Sequence, residues 1–287
     1  MSEQAASDPA EIDLAQALAR AAALGLDRLD AQRLLGHLLL QPRSWLIAHD
    51  DAKLPQAAAQ TYAALCRRRA DGEPLAYLVG EREFHGLALR VTPDVLIPRD
   101  DTETLVDWAL ALLKQSALRA PRVIDLGTGS GAIALAVAHR HPSARVTATD
   151  LSPAALALAQ TNAERLGLAL TWRCGSWWQA LPAGQDFDLV LSNPPYIAAG
   201  DPHLPALRHE PLLALTPGGD GLDALRQIIA GAGEHMAPGA WLLLEHGWDQ
   251  AEAVTRLLEA AGFGQIATLR DLEGRQRCTG GRQSIPV

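Results

Sequence analysis

The stretch Val123-Ile124-Asp125-Leu126-Gly127-Thr128-Gly129-Ser130-Gly131-Ala132-Ile133-Ala134 decides the fold. Val123 to Leu126 read as a short strand and Ala132 to Arg140 as a helix, with three alternating glycines between them. Glycine permits a sharp turn and lets backbone approach a ligand closely, and the helix behind it opens with unpaired N–H groups. A strand, a glycine loop and a helix make one unit of an open α/β sheet, whose ligands sit past the carboxyl ends of the strands.

The pattern repeats outward from this point. Strands are expected at Arg145 to Thr149, Thr171 to Cys174, Phe187 to Ser192 and Trp241 to Glu245, and helices at Pro153 to Leu166, Asp220 to Met236 and Gln250 to Ala261. Two short strand candidates close the chain. This alternation predicts a doubly wound, mostly parallel α/β sheet. Upstream, Asp101 to Leu113 reads as a helix with Asp100 or Asp101 near its cap. Phe84, Leu87, Leu89 and Val91 alternate around Gly86, then Thr92-Pro93-Asp94 turns and Val95-Leu96-Ile97 follows, which reads as a β-hairpin. From residue 10 to 70 the leucines fall at helical spacing with no strand signal, and Asp30 is a candidate N-cap. The expected organisation is a helical domain over 1–75, a hairpin linker over 76–100 and an α/β domain over 101–287.

Composition narrows the function. Apolar residues make up 48% and charged residues 20% of the 287, and no apolar run approaches the ~20 residues that span a bilayer. Met1 to Ala10 is polar and lacks the basic start of a signal peptide, so a cytoplasmic location is expected. The three cysteines lie far apart, and His139 and His141 bring no third ligand, so no metal site is expected. A net charge of −8 argues against bare nucleic acid as the direct partner, since phosphate binding calls for basic surfaces.

The glycine loop alone leaves two cofactors open. Gly127, Gly129 and Ala132 also fit the dinucleotide pattern, and Asp150 at the next strand end can accept from ribose hydroxyls in either case. The tighter spacing of Gly127, Gly129 and Gly131, with Asp125 ahead of it, favours S-adenosylmethionine. That cofactor has no pyrophosphate, but its amino-acid end can be held by carboxylate and backbone groups. Thr128 and Ser130 belong to the same loop.

Ser192-Asn193-Pro194-Pro195-Tyr196-Ile197 follows a strand and therefore belongs at the ligand edge. Two prolines stiffen the loop and leave it only carbonyls to offer. A flat NH₂ group can give one hydrogen to the Asn193 side-chain oxygen and the other to the Pro194 carbonyl, with Tyr196 on its face. An amide nitrogen is a poor nucleophile because its lone pair is delocalised. Holding both N–H bonds turns that lone pair toward an in-line methyl donor. Other polar residues carry weaker expectations. Arg99 and Glu103 are candidates to pair and brace the hairpin. Glu245 and His246 are read as a structural pair, Arg208 and Glu210 as shaping a lid, and Trp178 as packing.

With these motifs in view, the chain from about Pro74 to Gly280 resembles the glutamine-N5 methyltransferases of release factors, the HemK/PrmC family. Leu78-Val79-Gly80 with Phe84 and Gly86, Leu96-Ile97-Pro98-Arg99 with Asp101-Thr102-Glu103, the glycine loop, Asn193-Pro194-Pro195-Tyr196-Ile197, Arg208 with Glu210-Pro211, Gly221-Leu222 and Leu243-Leu244-Glu245-His246-Gly247 carry the likeness. The resemblance implies a seven-stranded, Rossmann-like methyltransferase domain behind a small helical N-terminal domain. It implies methyl transfer from S-adenosylmethionine to the glutamine of the Gly-Gly-Gln loop in class-1 release factors, by a monomer that binds neither nucleic acid nor membrane. Gly127, Gly129 and Gly131 then line the cofactor, Asp150 holds its ribose, Trp177 lies beside the adenine, and Asn193, Pro194, Pro195 and Tyr196 hold the substrate amide. Asp100, where the family has proline, and Ser176, where many members have an acid, depart from the pattern. The Asn-Pro-Pro-Tyr element is shared with enzymes that methylate base amino groups, which keeps a nucleic-acid base as the alternative substrate. A cofactor-binding module without turnover is a further alternative.

Overall fold

In the computed structural model, residues 11–182 and 184–284 are described; the polar Met1–Ala10 segment lies outside them. Chain contacts divide the protein into two units, residues 1–80 and 81–287.

The first unit opens with a two-residue strand β1 (Ile12–Asp13) and α1 (Leu14–Ala23), followed by α2 (Arg28–Leu39), α3 (Arg43–Ala48), β2 (Lys53–Leu54), α4 (Gln56–Ala70) and α5 (Leu75–Val79). Ile12 pairs with Leu54. Two residues are too few to show alternation, so this pairing left no trace in the sequence pattern. Asp13 forms a capping box with Gln16, satisfying donors at both sides of the helix start. Asp27, not Asp30, caps α2 by accepting from the Leu29 N–H at 2.7 Å. Asp30 lies one turn inside and pairs with Arg69 at 2.7 Å. Leu14, Leu34, Leu35, Leu46, Leu54 and Tyr62 are buried together as the core of the unit.

The second unit begins with a hairpin of β3 (Glu81–Phe84) and β4 (Leu87–Arg90). Its turn places His85 and Gly86 at positive φ. Phe84, Leu87 and Leu89 point into the same core as Leu105 and Leu135. Val95 to Ile97 do not extend the hairpin; Val95 and Ile97 are buried in an irregular segment bounded by Pro93 and Pro98. A short 3₁₀ turn, Asp100–Thr102, leads into α6 (Glu103–Gln115). The alternation then runs β5 (Arg122–Leu126), α7 (Ala132–Arg140), β6 (Arg145–Asp150), α8 (Pro153–Leu166), β7 (Thr171–Cys174), β8 (Phe187–Ser192), α9 (Leu212–Leu215), α10 (Asp223–Ala232), β9 (Met236–Glu245), α11 (Ala251–Ala260), β10 (Gly264–Arg270) and β11 (Gln276–Arg282).

Seven strands form one sheet in the order β10-β11-β9-β8-β5-β6-β7. Neighbours from β9 to β7 are parallel, and only β11 runs against the rest. Period-two alternation distributes the core over both faces. Val123, Leu189, Leu191 and Leu243 pack with Leu105 and Leu135 on one side. Ile124, Leu126, Val190, Leu242 and Leu244 pack with Leu225, Ile228, Val254 and Leu258 on the other. The last two strands are seven residues each, longer than the sequence suggests. Glycine hides β11 from a propensity reading, yet close packing demands it. A Cβ on Gly280 would lie 2.5 Å from Leu243, and one on Gly281 2.9 Å from Phe263.

The chain leaves β5 toward β6 and β7, then returns to β8 on the other side of β5. Connections on the two sides therefore diverge at the carboxyl ends of β5 and β8, opening a crevice at this switch point. Asp125 lies opposite Leu191 in the ladder, so the glycine loop and the Asn-Pro-Pro-Tyr loop emerge side by side. The Ser192 hydroxyl donates to the Leu126 carbonyl at 2.6 Å and ties the two strand ends together.

Candidate active site

The glycine loop is held by its own backbone and by two carboxylates. Gly127, Gly129 and Gly131 all have positive φ, 74°, 57° and 86°, a region costly for any side chain. The Gly127 and Thr128 N–H groups donate to the Thr149 carbonyl at 2.9 and 2.8 Å. Asp125 is fully buried beneath the loop. Its Oδ2 accepts from the Thr128 hydroxyl at 2.6 Å and from the Ala134 N–H at 3.2 Å, while Oδ1 has no partner. Burial pushes this carboxyl up to about 7, against the pull of those two bonds. Asp125 is thus a clamp that shapes the loop, not a group facing a ligand's amino-acid end.

Asp150, at the end of β6, does reach the cavity. Its Oδ2 accepts from the Gly129 N–H and its Oδ1 from the Ser152 N–H, both at 2.8 Å. A carboxylate offers about four acceptor sites, so acceptor capacity remains for a ligand hydroxyl beside these backbone donors. Burial raises its pKa, and the backbone donors oppose this.

A cavity of about 330 Å³ lies over the strand ends, bordered by Gly127, Thr128, Ser130, Asp150, Trp177 and Asn193. Gly129 and Gly131 do not border it, and the space a Gly129 side chain would enter is open. Gly131 approaches the helices instead: a Cβ there would lie 2.9 Å from Leu135. Trp177 adopts φ 44°, unusual for a bulky side chain, and covers Gly127 so closely that a Cβ there would sit 3.1 Å from its ring. Trp178 diverges into the core, where Nε1 donates to the Ile228 carbonyl at 2.8 Å and the ring stacks on His235. Ser176 also borders the cavity. An apolar slot with a glycine floor, one aromatic wall and one carboxylate rim fits a flat base, a ribose and an amino-acid tail, the components of S-adenosylmethionine.

Asn193 and Pro195 form the neighbouring wall, with Pro194 and Tyr196 behind it. The Asn193 Nδ2 donates to the Thr102 hydroxyl at 3.2 Å. The Tyr196 carbonyl accepts from Gln250 Nε2 at 3.0 Å, and the Ile197 N–H donates to the Leu215 carbonyl at 3.0 Å. The Tyr196 hydroxyl points inward, 3.5 Å from Glu245 Oε1. Burial raises both groups, Glu245 to about 7, and the other Glu245 oxygen, Oε2, has no hydrogen-bond partner among the described residues. Glu245 and His246 do not pair. His246 Nε2 shares a 2.7 Å bond with the Thr279 hydroxyl, and burial holds its pKa down. Successive residues leaving a strand diverge, which separates them.

Arg99 and Glu103 do not pair either. Arg99 bonds Glu210, whose other oxygen accepts from the Ile97 N–H at 3.1 Å, so the segment before α6 is joined to the segment after Tyr196. Glu103 accepts from the His85 N–H at 2.8 Å and fixes the hairpin turn. Bracing occurs, through two separate bonds. Asp100 pairs with Arg82 of β3, which accounts for an acid at this position. Sequence reasoning also passed over Arg277, which joins Asp101 at 3.1 Å and Asp271 at 3.2 Å; a lone arginine in a glycine-rich strand gave no signal. Among the described residues no cluster of His, Cys, Asp and Glu is arranged to hold a metal, and no helix is long and apolar enough to cross a membrane.

Comparison with known proteins bears on this arrangement. Residues 12–80 match the PrmC N-terminal domain and residues 103–244 the methyltransferase small domain. A release factor glutamine methyltransferase of Xylella fastidiosa is 53% identical over 269 residues, 93% of this chain and 97% of that protein. One from Bordetella pertussis is 52% identical over 259 residues, 90% and 95% of the two chains. The chain belongs to the release factor glutamine methyltransferase family. Solved methyltransferases share the fold of this family member at low identity. A methyltransferase from Pyrococcus furiosus superposes with a TM-score of 0.52 at 17% identity, over 70% of this chain and 90% of that one. A T. thermophilus 16S rRNA methyltransferase in complex with AdoMet and guanosine superposes with a TM-score of 0.55 at 20% identity, over 71% and 49%. In this family member, then, the glycine loop and the Asn193 loop share one cleft at the switch point of the sheet.

Proposed function

We propose that this cleft holds S-adenosylmethionine against Gly127, Thr128, Ser130, Asp150 and Trp177, and receives the glutamine amide of a release factor's Gly-Gly-Gln loop at Asn193. Gly129 and Gly131, at positive φ, shape the cofactor loop. When bound, the cofactor supplies a methyl group made electrophilic by its sulfonium. Everything else falls to the chain. Asn193 Oδ1 accepts one N–H of the substrate amide and the Pro194 carbonyl accepts the other. Pro194 and Pro195 keep that pair of acceptors at fixed separation, since neither can rotate about φ. Tyr196, anchored through its hydroxyl and its carbonyl, keeps the loop seated. With both N–H bonds engaged the amide nitrogen is oriented before reaction, and positive charge forming on it is stabilised by two acceptors already in place.

The observation that carries this reading is the Asn193 carboxamide, tied by its nitrogen to Thr102 beside the cofactor cleft, in a member of this family. The net charge of −8 supports a protein substrate over a phosphate backbone, and the enzyme acts as a cytoplasmic monomer in this account. Incubation with S-adenosylmethionine and a class-1 release factor, followed by mass spectrometry, is expected to show one added methyl on the Gly-Gly-Gln glutamine. Methyl label appearing only in tRNA, rRNA or DNA offered alongside would overturn the proposal in favour of a base amino group.

A further inference from the structure

A stiff loop holds its acceptors in place only if it cannot tilt as a whole. Asn193 and Pro194 each precede a proline, which confines them to extended backbone, and the rings fix φ at Pro194 and Pro195. Asn193 to Pro195 therefore behave as a strut. Its entry is pinned where the Ser192 hydroxyl donates to the Leu126 carbonyl at 2.6 Å. A strut held at one end still swings about that end, carrying Asn193 Oδ1 and the Pro194 carbonyl with it. The far end needs an anchor of its own.

We propose that Gln250 is that anchor, a positioning residue whose carboxamide fixes the Tyr196 carbonyl and, through the two prolines, the pair of acceptors for the substrate amide. This rests on the function proposed above. Gln250 lies 54 positions beyond Tyr196, at the residue before α11. Its Nε2 donates to the Tyr196 carbonyl at 3.0 Å, and its Oε1 accepts from the Gly247 N–H at 2.9 Å. A half-turn of the amide would set oxygen against that carbonyl and N–H against N–H, so the two partners fix its orientation. Gly221, at φ 82°, closes the other side of the carbonyl. A Cβ there would collide with the Tyr196 carbonyl oxygen and lie 3.0 Å from Gln250 Nε2. The Gln250 side chain makes no capping bond to α11, so its donor serves the loop alone.

Glutamate and lysine are close to glutamine in length and separate its two ends. At pH 8, Gln250→Glu keeps an acceptor for the Gly247 N–H and sets an oxygen against the Tyr196 carbonyl. Gln250→Lys keeps a donor for that carbonyl and loses the acceptor. At a helix start a negative charge stabilises and a positive one destabilises. A role confined to the start of α11 would therefore make the glutamate variant the better of the two in melting and in activity alike. Anchoring of the loop reverses the order in activity. With a release factor as substrate, Gln250→Glu is expected to lower kcat roughly tenfold or more and Gln250→Lys to stay within about threefold of wild type, both with the S-adenosylmethionine Kd within about twofold. A second readout needs no turnover. The chain has three tyrosines, so in protein labelled at tyrosine carbonyls the Tyr196 resonance can be assigned by its absence in Tyr196→Phe. It should move in Gln250→Glu and stay near its wild-type position in Gln250→Lys. Should Gln250→Glu fail to fold, Gln250→Leu, which also removes the donor, takes its place in both arms. A lysine variant no more active than the glutamate variant, or a Tyr196 resonance unmoved by glutamate, would overturn the inference. If wild type itself placed no methyl on the release factor, the functional reading would fall, and the carbonyl resonance would still decide whether Gln250 holds the loop.

Discussion

Replacing Asp125 by asparagine tests whether the carboxylate beneath the glycine loop is a clamp held at an electrostatic cost. Asp125 is fully buried, and burial raises its pKa from 3.8 to about 7. At about 1.4 kcal/mol per pH unit, this corresponds to a penalty on the order of 4 kcal/mol for ionising it in the folded protein. The unfolded chain ionises Asp125 near pH 4 and the folded protein near 7. Between these values the folded state holds more protons, so stability falls as pH rises through the window and is flat above it. Glu245, raised from 4.5 to about 7 by burial, contributes in the same direction. Wild type is therefore expected to melt higher at pH 5.5 than at pH 8. In Asp125→Asn the amide oxygen can take over both bonds, from Thr128 and Ala134, and its NH₂ replaces the unpartnered Oδ1. The variant should match or exceed wild type at pH 8 by roughly 5 °C or more, since each kcal/mol is worth about 2–4 °C for a unit of this size. Its pH dependence should shrink to the balance left by Glu245 and Asp150, which burial raises, against His246, which burial lowers. Tryptophan fluorescence suits the assay, because all but Trp45 of the seven tryptophans lie beyond residue 80. S-adenosylmethionine affinity at pH 8 should stay within a few fold, because Asp125 does not face the cavity. A variant less stable at pH 8 with the wild-type pH slope, or one that lost cofactor binding outright, would refute the reasoning.

Three other substitutions probe the same architecture. Trp177→Ala removes the wall over Gly127 and should weaken S-adenosylmethionine about tenfold by calorimetry, roughly 1.4 kcal/mol, with little change in melting. Gly131→Ala places a Cβ 2.9 Å from Leu135 at φ 86° and should cost about 2–4 kcal/mol in denaturant unfolding. Arg99→Ala strands the Glu210 carboxylate, whose side chain is 3% exposed, and should cost roughly 2–3 kcal/mol; the double variant with Glu210→Ala should lose less than the two single losses summed.

The glycine loop and the Asn-Pro-Pro-Tyr loop were legible because each is a local device. Positive φ at Gly127, Gly129 and Gly131 and the fixed φ of Pro194 and Pro195 are written in consecutive residues. The parallel sheet was legible through strands buried on both faces. What the sequence concealed is non-local. Arg99 and Glu103 look like partners at helical spacing, yet their partners are Glu210 and the His85 N–H, contributed by other segments. Asp27 and Asp30 are equivalent in composition, and only the backbone at the start of α2 tells which one caps. β11 carries Gly280 and Gly281 where strand propensity asks for branched residues, because Leu243 and Phe263 leave no room for a side chain. Thr102 lay inside a recognisable stretch, but its bond to Asn193 crosses 91 residues and has no local signature.

The most direct measurement compares Asn193→Ala with wild type in two parallel assays, single-turnover methylation of a release factor and calorimetric binding of S-adenosylmethionine. Turnover is expected to fall by roughly a thousandfold while cofactor affinity changes by no more than a few fold, because the lost oxygen serves the substrate amide in the transition state. Equal losses in both assays, or turnover that survives the substitution, would contradict it.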